Sequence, residues 1–342
     1  MIPQKDITIY DLAKELQLSP ATVSRALKNN PIINVDTRKK VVDLAKKRGY
    51  RSNAFASNLR TQKTNTIGVL LHELNSYFIT AVLAGIEAVA TKAGYDILIA
   101  HSNEMAGKEI TNAHNLFNKR VDGVIASLAY DTKDLSHFEP FIKKNIPLLF
   151  FDRIDNSIAA TQVVIDNFKA GYDATKHLIE QGCTQIVHAT ASLNRNVYAD
   201  RLLGYKKALR DFKITFKQSL VLIDDFSEDS GKSIAEKILQ MAHLPDGLFI
   251  TNDFCAAVCM NILKEAGVKI PEDMALVGFN NDIISRIVEP KITTIDYPGK
   301  LMGETIAQRL IDQLKTKKKI NKKEQIVVPS SLIIRASSLR KK

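Results

Sequence analysis

The chain has 342 residues, of which 45% are hydrophobic, and a formal net charge of +11. This length allows two or three domains, and the composition is that of a globular protein, which argues against wholesale disorder. The sequence has no apolar run of about 18 residues and is polar at its start, so we expect neither a membrane span nor a secretory signal. With only three scattered cysteines, no disulfide framework is expected and the protein should be cytoplasmic.

The positive charge is concentrated at the two ends of the chain. Residues 1–65 contain 13 Lys and Arg against 5 Asp and Glu, and residues 315–342 contain 10 against 1. Residues 66–314 are slightly acidic, with 25 against 31. A small basic domain at the start suggests a nucleic-acid partner, whereas a solvated surface is the simpler interpretation of the basic tail.

Three short helices are predicted at the start of the chain. The first follows Thr8, with Asp11 at capping-box spacing and apolar residues three and four positions apart. The second begins after Ser19, with Pro20 at the first helical position. A third is predicted over about 36–49. Two helices joined by a tight turn and closed by a third form a helix-turn-helix unit.

In such a unit the second helix enters the DNA major groove by its N-terminal end. Its first residues here are small, and an arginine one turn later can bind a guanine edge through two hydrogen bonds. The predicted base-contacting residues are Pro20, Ala21, Thr22 and Arg25. Hydroxyl and amide side chains suit phosphate contacts, and those predicted are Thr8, Ser19, Ser24 and Asn29. The alternative is an ordinary helical hairpin with a solvated arginine.

The stretches "ATVSRAL" (21–27) and "GYRSNAFASNLR" (49–60) resemble the LacI/GalR family of bacterial transcription regulators, and the resemblance runs from Thr8 to about Leu339. It implies a hinge helix that folds on the correct DNA and enters the minor groove through Asn53, Ala56, Leu59 and Arg60. Leu59 would wedge between the two central base pairs. So short a helix is marginal in water, so it should need DNA and a partner chain. Alternatively, Leu59 packs on its own body domain.

From Thr66 onward, apolar strand-like segments alternate with helical ones, as in a parallel sheet covered on both faces. The nine predicted strands are "TIGVLL", "YDILIAH", "VDGVIASL", "IPLLFFD", "VVIDN", "TQIVHATA", "SLVLIDD", "DGLFITND" and "MALVGFNN". About ten strands are too many for one sheet, so two subdomains are expected. The resemblance implies a periplasmic-binding-protein-like body of type I, with two doubly wound parallel-sheet subdomains behind a small all-α head. It places three crossovers between them, near 163–164, 291–293 and 322–323.

The predicted domains follow from these patterns. They are a helix-turn-helix domain (1–51), a hinge helix and linker (52–65), and an effector-binding and dimerisation domain (66–342). Within the last, the N-subdomain is expected at about 66–163 and 292–322, and the C-subdomain at about 164–291 and 323–337.

In doubly wound sheets a ligand binds at the carboxyl ends of the strands, between the subdomains. Polar and aromatic side chains gather there and suit a small polar ring such as a sugar. The predicted effector-binding residues are Tyr77, Phe78, Asp152, Arg195, Arg201, Phe226, Asn252, Asp253 and Asn280. The resemblance supports Asp152, Arg201, Asn252 and Asn280, although the last position is often aspartate in sugar-binding members, which leaves the ligand open. Each residue could instead cap a strand end, and Arg153 is expected to tie the crossover together.

The sequence therefore predicts a sequence-specific DNA-binding regulator, a homodimeric repressor controlled by a sugar-like effector. No catalytic cluster is found, and Cys255 and Cys259 lack a histidine at metal spacing, so no enzymatic activity, cofactor or metal is expected. The alternatives are a cytoplasmic sugar-binding protein or a sugar-converting enzyme with a non-regulatory basic head. A solute-binding protein with such a body should carry a signal peptide and would leave the basic head unexplained, and a sugar-converting enzyme should have a catalytic pair.

Overall fold

The structure is a computed structural model that describes residues 7–50, 63–226, 229–316 and 323–340. The chain divides into two compact units, Met1–Thr64 and Asn65–Lys342, which we call the head and the body. The predicted hinge residues Asn53, Ala56, Leu59 and Arg60 lie outside the described residues.

In its described part, the head consists of three helices, α1 (Ile9–Leu16), α2 (Pro20–Leu27) and α3 (Val35–Lys47). The predicted capping box is present, because the Thr8 hydroxyl accepts from the backbone N–H of Asp11 and the Asp11 carboxylate accepts from that of Thr8. The third helix begins slightly before the predicted start, since Asn34 caps it.

A small apolar core holds the three helices together. It is formed by Leu12, Ala13, Val23, Ala26, Val41 and Ala45. Because α2 turns Val23 and Ala26 into this core, its opposite side, which carries Ala21 and Arg25, is exposed. The predicted helix-turn-helix architecture is confirmed.

The body contains two six-stranded sheets. The strands of the first are β1 (Thr66–Leu71), β2 (Asp96–His101), β3 (Gly123–Ala126), β4 (Leu148–Phe151), β5 (Thr161–Val164) and β11 (Glu324–Val327). Their order is β11-β5-β4-β3-β1-β2, and all neighbours are parallel. The predicted parallel sheet is confirmed.

The strands of the second sheet are β6 (Ile186–Thr190), β7 (Val221–Ile223), β8 (Gly247–Ile250), β9 (Ala275–Asn280), β10 (Thr293–Asp296) and β12 (Leu332–Ile333). Their order is β12-β10-β9-β8-β6-β7. All neighbours are parallel except β12, which runs antiparallel to β10.

Helices cover both sheets. In the described residues, the first subdomain has α4 (Tyr77–Lys92), α5 (Ala106–Asn118), α6 (Glu139–Lys143) and α12 (Gly299–Thr316). The second subdomain has α7 (Asn167–Glu180), α8 (Asn196–Asp211), α9 (Ser230–Leu239), α10 (Asp253–Glu265) and α11 (Ile284–Ile287).

Two of the three crossovers lie later in the chain than predicted. Thr293–Asp296 still pairs within the second sheet, so the second crossover follows residue 296 rather than lying at 291–293. Glu324–Val327 still pairs with β5 of the first sheet, so the third follows residue 327 rather than lying at 322–323. The physical reason is that each of these strands keeps its backbone hydrogen bonds to its own sheet up to its carboxyl end, so the chain leaves the sheet only after that point.

Helices α7 and α8 approach each other so closely that each needs a glycine at the contact. A Cβ atom added to Gly171 would overlap the carbonyl oxygen of Arg201, and one added to Gly204 would overlap that of Phe168. This contact fixes the height and rotation of α8, and with it the position of the Arg201 side chain.

We expect Gly171→Ala to lower the stability of the body by about 1–3 kcal/mol, because the new methyl group must push α8 away from α7. The shift in the urea unfolding midpoint measures the loss. Gly107→Ala is the matched control, since an added Cβ there meets no heavy atom within 4 Å. Equal midpoints for the two variants would contradict the proposed constraint.

Candidate functional site

The exposed start of α2 is the predicted base-reading surface. The Ser19 hydroxyl accepts from the backbone N–H of Thr22 at 3.1 Å and caps the helix, and Pro20 occupies its first turn. The Arg25 side chain is exposed and makes no hydrogen bond or ion pair with the described residues. A guanidinium free of protein partners on this face can reach a base edge.

The predicted phosphate-contacting side chains also support the fold of the head. The Thr8 hydroxyl donates to the Asp11 carboxylate, and Asn29 accepts from Arg38 at 2.6 Å. Ser24 is half-buried on α2. Their contacts with phosphate remain predictions.

In the body, the carboxyl ends of strands from the two sheets face each other. Phe78, which follows β1, stacks on Tyr297, which follows β10, with ring centroids 4.1 Å apart. The hydroxyl of Tyr130, which follows β3, lies 3.2 Å from the hydroxyl of Tyr198, which follows β6. We call this region the cleft. It is the place where a ligand binds in doubly wound sheets.

Three of the predicted effector-binding residues have a left-handed backbone. The φ angles are 57° at Asp152, 57° at Phe226 and 110° at Asn280. Such angles are uncommon outside glycine, and they persist where the surrounding structure imposes them, often at functional sites. Each angle turns its side chain at the point where a strand has just ended.

Asp152 is buried at the end of β4, and its carboxylate accepts a hydrogen bond from the Tyr297 hydroxyl. Tyr297 is itself buried, and burial together with the Asp152 charge raises the pKa of its phenol well above the ordinary value. The phenol therefore stays a proton donor to Asp152. Tyr297 was not among the predicted site residues, because the strand that precedes it was not predicted.

Arg201 reaches the cleft from the second turn of α8. Its Nε donates to the amide oxygen of Asn167 at 2.8 Å, and its guanidinium carbon lies 3.5 Å from the ring centroid of Phe279. The rings of Tyr198 and Tyr297 are each 5.5 Å away. Aromatic faces stabilise a buried cation, so the side chain is held in one orientation.

The start of α8 contacts the first subdomain directly. Asn196 donates to the carbonyl oxygen of Asp152 at 3.1 Å and accepts from the backbone N–H of Ile154 at 3.0 Å. Arg195 donates through Nη2 to the carbonyl oxygen of Thr132. These contacts draw the two subdomains together at one end of the cleft.

A second set of contacts between the subdomains is centred on Arg153. Its Nη1 lies 2.7 Å from both carboxylate oxygens of Glu104, and its Nη2 donates to the Tyr198 hydroxyl at 3.1 Å. The guanidinium also lies over the ring of Tyr130, 4.2 Å from its centroid. Burial opposes the charge of Arg153, but the Tyr198 and Tyr130 hydroxyls and the Glu104 carboxylate hold its pKa above the ordinary value.

Two of the predicted effector residues have structural roles in the second subdomain. Asn252 caps α10 by accepting from the backbone N–H of Cys255. Asp253 accepts from the backbone N–H of Asp282 and from the Thr294 hydroxyl, so both its oxygens are occupied. Burial, with the nearby Asp282 charge, raises the pKa of Asp253 well above its ordinary value.

The structure does not bring every predicted residue equally into the cleft. Asn280 is half-buried, and its amide lies 3.4 Å from Asp282. Phe226 is also half-buried, with its ring centroid 6.1 Å from that of Tyr198. Tyr77 begins α4 and remains 47% exposed. Effector contact by each of the nine predicted residues remains a prediction.

Four further residues of the cleft were not predicted from the sequence either: Glu104, Tyr130, Asn196 and Tyr198. Asn196 and Tyr198 lie between Arg195 and Arg201, at a helix start that the strand-end rule had already indicated. Glu104 carried no comparable signal, since it lies in the loop after β2 and meets Arg153 only in the folded chain.

The described residues hold no group of three His, Cys, Asp or Glu side chains that could bind a metal ion. Cys255 and Cys259 are buried, and burial raises the pKa of the Cys255 thiol to about 12. Of the helices described, none is both long and apolar enough to cross a membrane.

Comparison with known proteins adds two sequence matches and one close relative. Residues 8–53 match "Bacterial regulatory proteins, lacI family", and residues 175–338 match "Periplasmic binding protein-like domain". The HTH-type transcriptional regulator RegA of Clostridium saccharobutylicum is 33% identical over 336 residues, which cover 97% of this chain and 99% of the relative.

Two solved structures share the fold. The lac repressor dimer bound to operator and an anti-inducer is 24% identical, with a TM-score of 0.87, over 98% of this chain and all of that one. A LacI-family regulator from Enterococcus faecium with bound ribose is 27% identical, with a TM-score of 0.71, over 81% of this chain and 99% of that one.

Asp282 should make the stability of the body depend on pH. Burial, reinforced by the Glu73 carboxylate, raises the pKa of Asp282 from 3.8 to about 6, and its Oδ1 is buried with no hydrogen-bond partner among the described residues. The native state thus favours the protonated form. The associated stability is present below about pH 4 and is lost as the pH rises through about 6.

We therefore expect Asp282→Asn to stabilise the protein at pH 8 by roughly 1–3 kcal/mol and to have little effect at pH 4. Urea unfolding at the two pH values measures this difference. An equal effect at both values would show that Asp282 does not titrate in this range.

Proposed function

Because this chain belongs to the LacI family of bacterial transcription regulators, we propose that it is a repressor that binds a two-fold symmetric operator as a homodimer. A small effector bound in the cleft would control its affinity for DNA. The observation that carries this proposal is the exposed Arg25 on α2, held by a helix-turn-helix head, in a chain whose body has a strand-end cleft.

The head supports sequence reading by α2. Its first turn presents Pro20 and Ala21, which are small enough for a close approach to base edges, and Arg25 follows one turn later. Minor-groove contact by Leu59 rests on the family resemblance. Since a regulator of bacterial genes meets DNA in the cytoplasm, the expected location agrees with this function.

Two exposed sheet edges support a dimer. Among the residues that the structure describes, β2 ends the first sheet and β7 ends the second, so each pairs on one side only. They carry the exposed side chains Ile99 and Ile223, and Phe254 at the start of α10 is exposed as well. Unpaired edges with apolar side chains are suited to contact with a second copy.

A sugar or sugar derivative suits the cleft, which combines aromatic faces at Phe78 and Tyr297 with charged and amide groups at Asp152, Arg201 and Asn280. RegA is named as a regulator, and the Enterococcus faecium protein holds ribose. We propose no enzymatic activity, because no observation in the described residues favours a catalytic pair.

Arg25→Ala should relax operator specificity at one guanine per half-site and cost roughly 1–3 kcal/mol there, because a base-reading arginine is removed. Lys28→Ala is the control, since loss of an exposed lysine directly after the same helix should weaken binding to all sequences alike. Titrations of operator and random DNA by fluorescence anisotropy measure both. Equal weakening on both DNAs by Arg25→Ala would refute base reading.

Asp152→Ala should abolish the effect of the effector on operator binding while leaving operator affinity without effector nearly unchanged. The change removes a cleft carboxylate that Tyr297 orients, and it leaves the head intact. The measurement is operator titration with a panel of pentoses, hexoses and their phosphates. Glu139→Ala, which removes an exposed carboxylate of the same subdomain, is the control. A retained response in Asp152→Ala would place the effector elsewhere.

A further inference from the structure

Three arginine side chains are buried together around the cleft. Arg153, Arg195 and Arg201 are only 2%, 4% and 3% exposed. Burying a guanidinium removes its hydration, and the cost is offset only when the charge meets an opposite charge or a full set of hydrogen-bond acceptors. We call these three side chains the arginine cluster.

Only one member of the arginine cluster has an ion-pair partner in the part of the chain that the structure describes. Arg153 pairs with Glu104 at 2.7 Å. Arg195 bonds a neutral carbonyl oxygen, that of Thr132, and its buried Nε has no hydrogen-bond partner. Arg201 donates to the amide oxygen of Asn167, again a neutral group.

The three charges also lie within electrostatic reach of one another. Burial lowers the pKa of Arg201, and the charge of Arg153 adds to this effect, whereas the Tyr297 and Tyr198 hydroxyls and the Asp152 carboxylate raise it. Burial likewise lowers the pKa of Arg195. Nearby carboxylates raise this pKa, and the charge of Arg153 lowers it. The cluster is therefore a concentration of positive charge that its neighbours only partly balance.

Three carboxylates around the cluster accept hydrogen bonds from other groups. Asp152 accepts from the Tyr297 hydroxyl. Glu109 accepts from Thr132 and lies 3.0 Å from the ring nitrogen of His137. Asp155 accepts from the backbone N–H of Ser157. None of these oxygens lies within 4 Å of a nitrogen of Arg195 or Arg201 among the described contacts.

We propose that the effector carries an anionic group, a phosphate or a carboxylate, which Arg195 and Arg201 bind. This inference rests on the proposed function and narrows its ligand class. A planar guanidinium binds the oxygens of either group through paired, charge-assisted hydrogen bonds, which are stronger than bonds to neutral acceptors. The anion would replace the Thr132 carbonyl as the partner of Arg195.

The test compares neutral sugars with derivatives that carry a phosphate or a carboxylate. Isothermal titration calorimetry with the full chain at fixed ionic strength uses two matched sets: ribose, ribose 5-phosphate and ribonate, then glucose, glucose 6-phosphate and gluconate, with inorganic phosphate as a separate probe. We expect at least one charged member to bind about tenfold or more tightly than its neutral parent. The phosphate and the acid arms distinguish the two anion classes.

Variants connect the binding to the cluster. Arg195→Gln should weaken the charged ligand about tenfold or more and its neutral parent by less than about threefold. Arg210→Gln, which removes an exposed arginine from the same helix, should change neither. Arg195→Lys keeps the charge without the planar fork and should give an intermediate loss, which covers the case that the glutamine variant folds poorly.

Two results would overturn the inference: no charged ligand binds more tightly than its neutral parent, or Arg195→Gln affects the charged ligand no more than Arg210→Gln does. Operator titration separates this outcome from failure of the proposed function. If a neutral sugar changes operator affinity and no charged ligand does, the inferred anionic group is refuted but the regulatory role is not. A charged ligand that binds without changing operator affinity would refute only the regulatory role.

Discussion

The burial of the Arg201 guanidinium is the constraint on which the arrangement of the cleft depends. A cation with almost no contact with water needs acceptors and aromatic faces in fixed positions. Asn167, on α7, accepts a hydrogen bond from the guanidinium, and Phe279, on β9, supplies the nearest ring. Gly171 lets α7 press against the backbone of Arg201 itself. The packing of two helices therefore determines where a ligand would find its strongest donor.

The sequence predicted well those features that depend on local patterns. The caps at Thr8 and Ser19 and the glycine after α3 depend on neighbours a few positions away, so their spacing reveals them. Nine of the twelve strands were recognised from apolar runs. Of the three that were missed, β10 and β11 mix polar with apolar residues and β12 has only two residues, so none shows an apolar run of strand length. Tyr297, which follows β10, was missed with them.

The cleft was predictable in outline only. The strand-end rule led to Asp152 and Arg201, because both follow or precede recognisable elements. It gave no means to separate a side chain that faces the cleft from one that caps a helix, as Asn252 does, or supports a turn, as Asp253 does. Contacts such as Glu104 with Arg153 join residues 49 positions apart and exist only after folding.

The left-handed backbone at Asp152 and Asn280 limits how this protein can diversify. Asparagine and aspartate tolerate that conformation better than other residues with side chains, and β-branched residues tolerate it worst. Most substitutions at these two positions therefore strain the backbone and destabilise the protein, whatever their effect on ligand binding. Asparagine and aspartate can still replace each other there, and this exchange changes the charge that the ligand meets without disturbing the end of the strand. New ligand preferences should arise more easily at residues of ordinary backbone geometry, on the helices around the cleft.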